Sequence, residues 1–252
     1  MSAVNDGGPA TAPPSSLASG PASGQGESRL STVLRGAGGC LAVTIIVFGA
    51  VILLALTSDA AKERLGEVIA VAVAIHALAC LLFLLALVRR AGVAPQALGI
   101  RRPTWRLLHL LWQIPSALIL LVAVQATMFA VLGGEDPVAS GGAGRAMASL
   151  SPLFAVVGFL GVALLTPLWE ELFFRALVLG AARRRYGAGI AVVLSAALFA
   201  AVHGVPILLP YLLTLGLILG FLRVFHGNIW APVAMHVSIN AIASAAVLAA
   251  LV

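Results

Sequence analysis

Long apolar runs dominate the chain, and short polar connectors separate them. Each run is near or above the ~17–25 residues that a helix needs to cross a bilayer. Seven such runs cover residues 37–57, 67–88, 107–132, 151–181, 188–204, 206–225 and 229–251. A helix satisfies its backbone hydrogen bonds within one segment, as a lipid environment requires. The pattern therefore predicts an all-α, polytopic transmembrane helical bundle of about seven spans.

The first 28 residues differ from everything that follows. They are rich in Gly, Pro, Ser and Ala and show no apolar periodicity, which predicts a disordered N-terminal tail. No basic segment leads directly into an apolar core, so we do not interpret them as a cleaved signal peptide. The predicted organisation is a tail over 1–28, N-terminal transmembrane helices over 29–149 and a C-terminal core over 150–252.

Composition excludes an ordinary soluble enzyme, because 61% of the 252 residues are hydrophobic and only 10% are charged. The net charge of +6 does not indicate a nucleic-acid partner, since the basic residues lie in the connectors. Eleven arginines fall in connectors that alternation places on one side of the membrane, namely Arg29, Arg35, Arg89, Arg90, Arg101, Arg102, Arg106, Arg183, Arg184, Arg185 and Arg223. Short cytoplasmic loops retain basic residues, so this predicts a multi-pass protein of the cell membrane with a cytoplasmic N-terminus.

The fourth span carries three ionisable residues, Glu170, Glu171 and Arg175. Each charge costs ~2.5–3.5 kcal/mol at mid-membrane, so this face must point into the bundle. Glu171 and Arg175 are four residues apart and can form an ion pair, which suggests structural support. Glu170 lies about 100° around the helix and lacks such a partner, which makes it the candidate general base. A buried ion network without chemistry is the alternative.

Two further spans contribute polar residues at helical spacing. Phe199 and His203 share one face of the fifth span, and His236 and Asn240 share one face of the seventh. We expect Phe199 to give structural support to the site. At 1.5 Å per residue, these groups reach depths close to that of Glu170, so we expect them to meet in one layer. His76 in the second span is interpreted as a hydrogen-bonded packing residue.

Other features of the spans predict packing alone. Cys40 and Cys80 lie inside apolar runs and offer no disulfide framework or zinc motif, so we expect small buried side chains. Gly216 and Gly220 form a small-xxx-small pattern that predicts close packing within the bundle.

The polar layer supports two hydrolytic mechanisms. In the favoured one, which uses no metal or other cofactor, Glu170 and His203 activate a water and His236 and Asn240 stabilise the oxyanion. In the other, Glu170, His203 and His236 bind zinc and Glu171 is the base. The residues themselves do not decide between them.

Three motifs make the sequence resemble the CPBP intramembrane proteases, a family that includes type II CAAX prenyl endopeptidases and proteins linked to bacteriocin self-immunity. The motifs E-E-x-x-x-R, F-x-x-x-H and H-x-x-x-N occur here in order, beginning at Glu170, Phe199 and His236. The resemblance covers roughly residues 150–245. It implies a membrane-embedded endopeptidase in which the residue matching Glu170 activates water with help from the one matching His203. It also implies that His236 and Asn240 stabilise the oxyanion, although older descriptions of the family invoke zinc.

The expected partners are the lipid bilayer and a protein or peptide substrate, prenylated or otherwise membrane-bound. Two other classes of function stay open. The acidic and histidine residues could relay protons in a transport protein. A non-catalytic immunity or scaffold protein could instead retain the motifs for packing.

Overall fold

The computed structural model describes residues 22–132 and 150–249, with side chains described for 30–132 and 150–245. Within these ranges the chain is helical with short connections and no strand. Residues 1–21 of the predicted tail lie outside the described residues, and the first helix begins at Ala22.

The N-terminal part consists of α1 (Ala22–Thr57), the short α2 (Asp59–Glu63), α3 (Leu65–Arg90) and α4 (Leu110–Leu132). A sharp connection joins α1 to α3, because the Ser58 hydroxyl accepts the Ala61 N–H and caps α2. The connection from α3 to α4 contains two 3₁₀ turns, Pro95–Leu98 and Trp105–His109. These helices match the first three predicted spans.

The C-terminal part is built around α5, a helical stretch over 152–186. Two of its segments, Leu160–Leu165 and Glu171–Val178, have π-helical geometry. Gly187, with φ +79°, ends α5 and starts α6 over 188–202. Helices α7 (Leu209–His226) and α8 (Trp230–Ala249) complete the part of the chain that the structure describes.

The structure confirms the all-α polytopic class. Five segments of the described residues are long and apolar enough to cross a membrane. The predicted spans 151–181 and 188–204 fall in one of these segments, Pro152–Val202, whose 51 residues are enough for two crossings. Gly187 has non-helical backbone geometry and divides the segment into α5 and α6, which pack against each other. The last helix, described with side chains as far as Ala245, is not among the five. Orientation in the membrane stays a prediction.

Helix α5 lies at the centre of the bundle. It packs against α1, α3, α6 and α8, and every residue from Glu171 to Val178 is buried. The outer faces of the surrounding helices are apolar and exposed; Ile45 and Ile46 of α1 are examples. Such apolar faces are suited to contact with lipid, whereas the charged side chains of this buried segment of α5 lie in the interior of the bundle.

The α6–α7 contact depends on the two glycines predicted to serve packing. A Cβ atom on Gly216 would lie 2.9 Å from the Cα of Ala196, and one on Gly220 would lie 2.9 Å from a Val192 methyl group. Small residues let two helices approach this closely in a membrane. The close-packing interpretation of this pattern is confirmed.

We predict that Gly216→Ala lowers stability by about 1–3 kcal/mol, because the added methyl meets backbone that cannot move aside. Gly180→Ala is the matched control, since a Cβ there meets nothing within 4 Å. Thermal unfolding of both variants in detergent measures the difference. Equal melting temperatures would contradict the account of this contact.

Candidate active site

The site is organised around a turn of α5 that a proline distorts. At the end of the first π-helical segment, the Thr166 N–H donates to the Gly161 carbonyl, five residues back. The next donor in this register would be residue 167 to the Val162 carbonyl, but Pro167 has no N–H. The Val162 carbonyl is therefore free to accept a hydrogen bond from another helix. Local widening of this kind is frequent at functional sites.

Asn240 of α8 supplies that hydrogen bond. Its Nδ2 donates to the Val162 carbonyl at 3.0 Å, which fastens α8 to α5 five residues before Pro167. The sequence reasoning predicted Asn240 as an oxyanion donor and did not anticipate this bond. The predicted role stays open, because the amide has a second N–H.

Glu171 and Arg175 form the predicted ion pair, with Arg175 Nη1 3.4 Å from Glu171 Oε1. Both side chains have 0% exposure, so the pair lies in the driest part of the bundle. Arg175 Nη2 donates to the Gly216 carbonyl of α7 at 3.4 Å, and its guanidinium lies 4.5 Å from the centroid of the Phe199 ring. The arginine thus connects α5 to α6 and α7 through charge, hydrogen bonding and a cation–π contact.

His236 adds a third member to this pair. Its Nδ1 lies 2.9 Å from Glu171 Oε1, the same oxygen that faces Arg175. The contact is buried and joins α8 to α5. Spacing within one helix could not reveal it, since the two residues are 65 positions apart.

Glu170 faces both histidines. Its Oε1 lies 3.9 Å from His203 Nε2, and its Oε2 lies 3.7 Å from His236 Nε2. The structure therefore brings together the carboxylate and both imidazoles from α5, the end of α6 and α8. Both distances exceed direct hydrogen-bond length, which leaves each group able to bind a shared third partner.

The partners of the histidines determine which nitrogen carries a hydrogen. His203 Nδ1 lies 2.6 Å from the Phe199 carbonyl, and His236 Nδ1 faces the Glu171 carboxylate. Both partners are acceptors, so both Nδ1 atoms must donate. In the neutral imidazoles, Nε2 then presents a lone pair toward Glu170.

Phe199 sets the orientation of the two rings. It lies 4.7 Å from His203 and 5.8 Å from His236, centroid to centroid, in edge-to-face contact with each. Phe174 packs against its other side at 5.3 Å. Structural support was the role predicted for Phe199, and these contacts are of the kind that role requires.

His76, interpreted as a packing residue, lies in hydrogen-bond contact with α1. Its Nε2 lies 2.9 Å from Thr44 Oγ1, and its ring meets Trp169 edge-on at 5.7 Å. The hydrogen bond links α3 to α1. The ring contact links α3 to Trp169, the residue before Glu170. Cys40 and Cys80 are free and buried, in agreement with the packing role expected of them.

The residues do not form a metal site as they are arranged. No group of three or more His, Cys, Asp or Glu side chains within the described ranges is placed to hold a metal ion. Tetrahedral zinc ligands about 2.0–2.2 Å from the ion lie roughly 3.3–3.6 Å from one another, a few tenths of an ångström closer than Glu170 lies to the two imidazoles. We therefore assign no chemical step to zinc.

Comparison with known proteins adds one finding to this geometry. Residues 152–242 match the family model described as type II CAAX prenyl endopeptidase Rce1-like. This segment is similar to a Rce1-like domain. No curated protein and no solved structure gives a significant match to the chain.

The Rce1-like match confirms the family resemblance that the three motifs predict. It covers α5, α6, α7 and α8 as far as residue 242, and so contains all three motifs. That family consists of membrane proteases, so the match indicates a hydrolase domain that acts on a protein or peptide in the membrane. The helices α1, α3 and α4 lie outside the match.

The buried pair within the Rce1-like domain makes a stability prediction. Arg175→Gln leaves the Glu171 carboxylate without its cation in a dry site, and we expect a loss of about 3–5 kcal/mol. Arg184→Gln removes an exposed arginine and should change stability little. Thermal unfolding of the purified variants provides the comparison, and similar melting temperatures would show that the pair does not stabilise the bundle.

Proposed function

We propose that the protein is an intramembrane endopeptidase that hydrolyses a peptide bond with a water activated by Glu170. The observation that supports this most strongly is the pair of imidazole nitrogens at 3.7 and 3.9 Å from the two oxygens of one buried carboxylate. In structural ion pairs the two charged groups lie within hydrogen-bond distance, as the Glu171 carboxylate and His236 Nδ1 do. The longer spacing around Glu170 is typical of groups that act on a shared molecule.

Water activation follows from the tautomers. A water beside Glu170 Oε1 donates one hydrogen to the carboxylate and the other to the lone pair of His203 Nε2. This places its oxygen lone pair toward the substrate carbonyl. As the oxygen attacks the carbonyl carbon, Glu170 accepts the proton, and it later gives that proton to the leaving amine when the C–N bond breaks.

His236 differs from His203 in having a carboxylate behind it. When His236 carries a second proton, its Nε2–H donates to the oxyanion of the tetrahedral intermediate while Glu171 stabilises the imidazolium at Nδ1. The second N–H of the Asn240 amide is the other proposed donor. Arg175 holds Glu171 in place and does not itself contact the substrate in this mechanism.

The proposed substrate is a membrane-bound peptide or protein, and a prenylated CAAX-type peptide is the first probe. A bundle that buries its catalytic layer between apolar helices favours substrates that arrive within or along the bilayer. We place the protein in the cell membrane. Transport and scaffold roles gain no specific support from the geometry.

The test is cleavage of a quenched, prenylated CAAX-type peptide by the purified protein in liposomes. Glu170→Gln should reduce the rate by about 10²–10⁴-fold, because the amide cannot accept the proton from water. Glu63→Gln is the matched control, since it changes an exposed acid outside the matched segment. Full activity in Glu170→Gln would refute the proposed mechanism.

A chelator arm separates the two hydrolytic mechanisms. We expect cleavage to continue at the same rate in the presence of a zinc chelator. Loss of activity with chelator, followed by recovery on addition of zinc, would contradict the metal-free mechanism and restore the alternative in which Glu170, His203 and His236 bind zinc.

A further inference from the structure

A second charged site lies near one end of the bundle, away from Glu170. Its centre is Arg223, near the C-terminal end of α7, whose side chain is 8% exposed. The buried Nε atom of Arg223 has no hydrogen-bond partner. A buried guanidinium nitrogen without a partner raises the free-energy cost of burying Arg223, which a bound anion would offset.

The charges that act on Arg223 increase the free-energy cost of burying its side chain. The charged groups that act on Arg223 within the described residues are Arg183, at the end of α5, and Arg101, in the α3–α4 connection. No ion pair of the described residues includes Arg223. Arg183 and Arg101 therefore repel Arg223, and among the described residues no acid pairs with it.

The surrounding backbone is shaped to hold Arg223 in position. Gly99 has φ +83°, and a Cβ atom there would lie 2.5 Å from Cζ of Arg223. Only glycine leaves this space and adopts this conformation readily. The Gly99 carbonyl accepts the Ile229 N–H at 3.0 Å, and the Arg101 carbonyl accepts Trp230 Nε1 at 2.9 Å. The loop that frames the guanidinium is thus fastened to the start of α8.

The site is separate from the catalytic layer. Arg101 and Arg183 are exposed, whereas Arg223 is buried. Along α7, Arg223 lies seven residues from Gly216, whose carbonyl binds Arg175, which corresponds to roughly 10 Å of helix. The predicted orientation puts all three arginines on the cytoplasmic side, at the level where lipid phosphates lie.

We propose that Arg223, Arg101 and Arg183 bind an anionic phosphate group, carried by a lipid headgroup or free in solution. Guanidinium groups bind phosphate through several charge-assisted hydrogen bonds. One buried arginine and two exposed arginines together offer several such donors. The inference is independent of the proposed peptidase chemistry.

The test compares lipid retention by two double variants of the full-length protein. Arg101→Gln/Arg183→Gln removes the two exposed members and leaves the buried Arg223 and the fold in place. Arg89→Gln/Arg90→Gln removes the same charge from exposed positions at the end of α3 and is the matched control. The protein is reconstituted in phosphatidylcholine with added phosphatidylglycerol, and native mass spectrometry measures the lipid that stays bound.

We expect the native protein and the control variant to retain phosphatidylglycerol in preference to phosphatidylcholine. The Arg101→Gln/Arg183→Gln variant should bind it at least about tenfold more weakly, as lost hydrogen bonds to a charged group imply. An equal loss of phosphatidylglycerol binding in both double variants would show that only the total positive charge matters, and would overturn the proposal. Absence of any preference in the native protein, together with no effect of inorganic phosphate, would also overturn it.

A second arm distinguishes the source of the phosphate. Inorganic phosphate is added to the protein in a neutral detergent, and the melting temperature is measured. A rise that Arg101→Gln/Arg183→Gln abolishes would support a site for free phosphate. Stabilisation by phosphatidylglycerol alone would support a lipid headgroup site.

Discussion

The structure depends on one buried charge cluster, in which Glu171 binds Arg175 from its own helix and His236 from α8. Removing any member would leave a charge or a strong hydrogen-bonding group in a dry interior. The cluster therefore fixes the relative position of α5, α6, α7 and α8. It also fixes the ring of His236, and through it one of the two nitrogens that face Glu170.

Two neighbouring acids consequently have different tasks. Glu171 is enclosed and has partners, whereas Glu170 lies one position along and faces nitrogens at distances too long for direct hydrogen bonds. The distorted geometry of α5 contributes to this separation. Pro167 frees the Val162 carbonyl, Asn240 binds it, and α8 is thereby held against α5 about two turns before Glu170.

Much of this arrangement could be predicted from the sequence. Apolar runs gave the helical membrane class, and i, i+4 spacing gave the Glu171–Arg175 pair and the alignment of Phe199 with His203. The break at Gly187 lies between the predicted spans 151–181 and 188–204, so the division of this segment into two helices agrees with the hydropathy pattern. The His236–Glu171 and Asn240–Val162 bonds join residues that are far apart in the chain, so no local pattern contains them. The position of Arg223 under Gly99 is of the same kind.

The central claim is that Glu171 acts through His236 to position the site around Glu170. A double-mutant cycle on kcat/KM for peptide cleavage, with Glu171→Gln, His236→Gln and the combined variant, tests it most directly. The account predicts that the combined variant loses little more than the worse single variant, because both substitutions break one functional unit. Losses that multiply would show that the two residues act independently and would contradict the account.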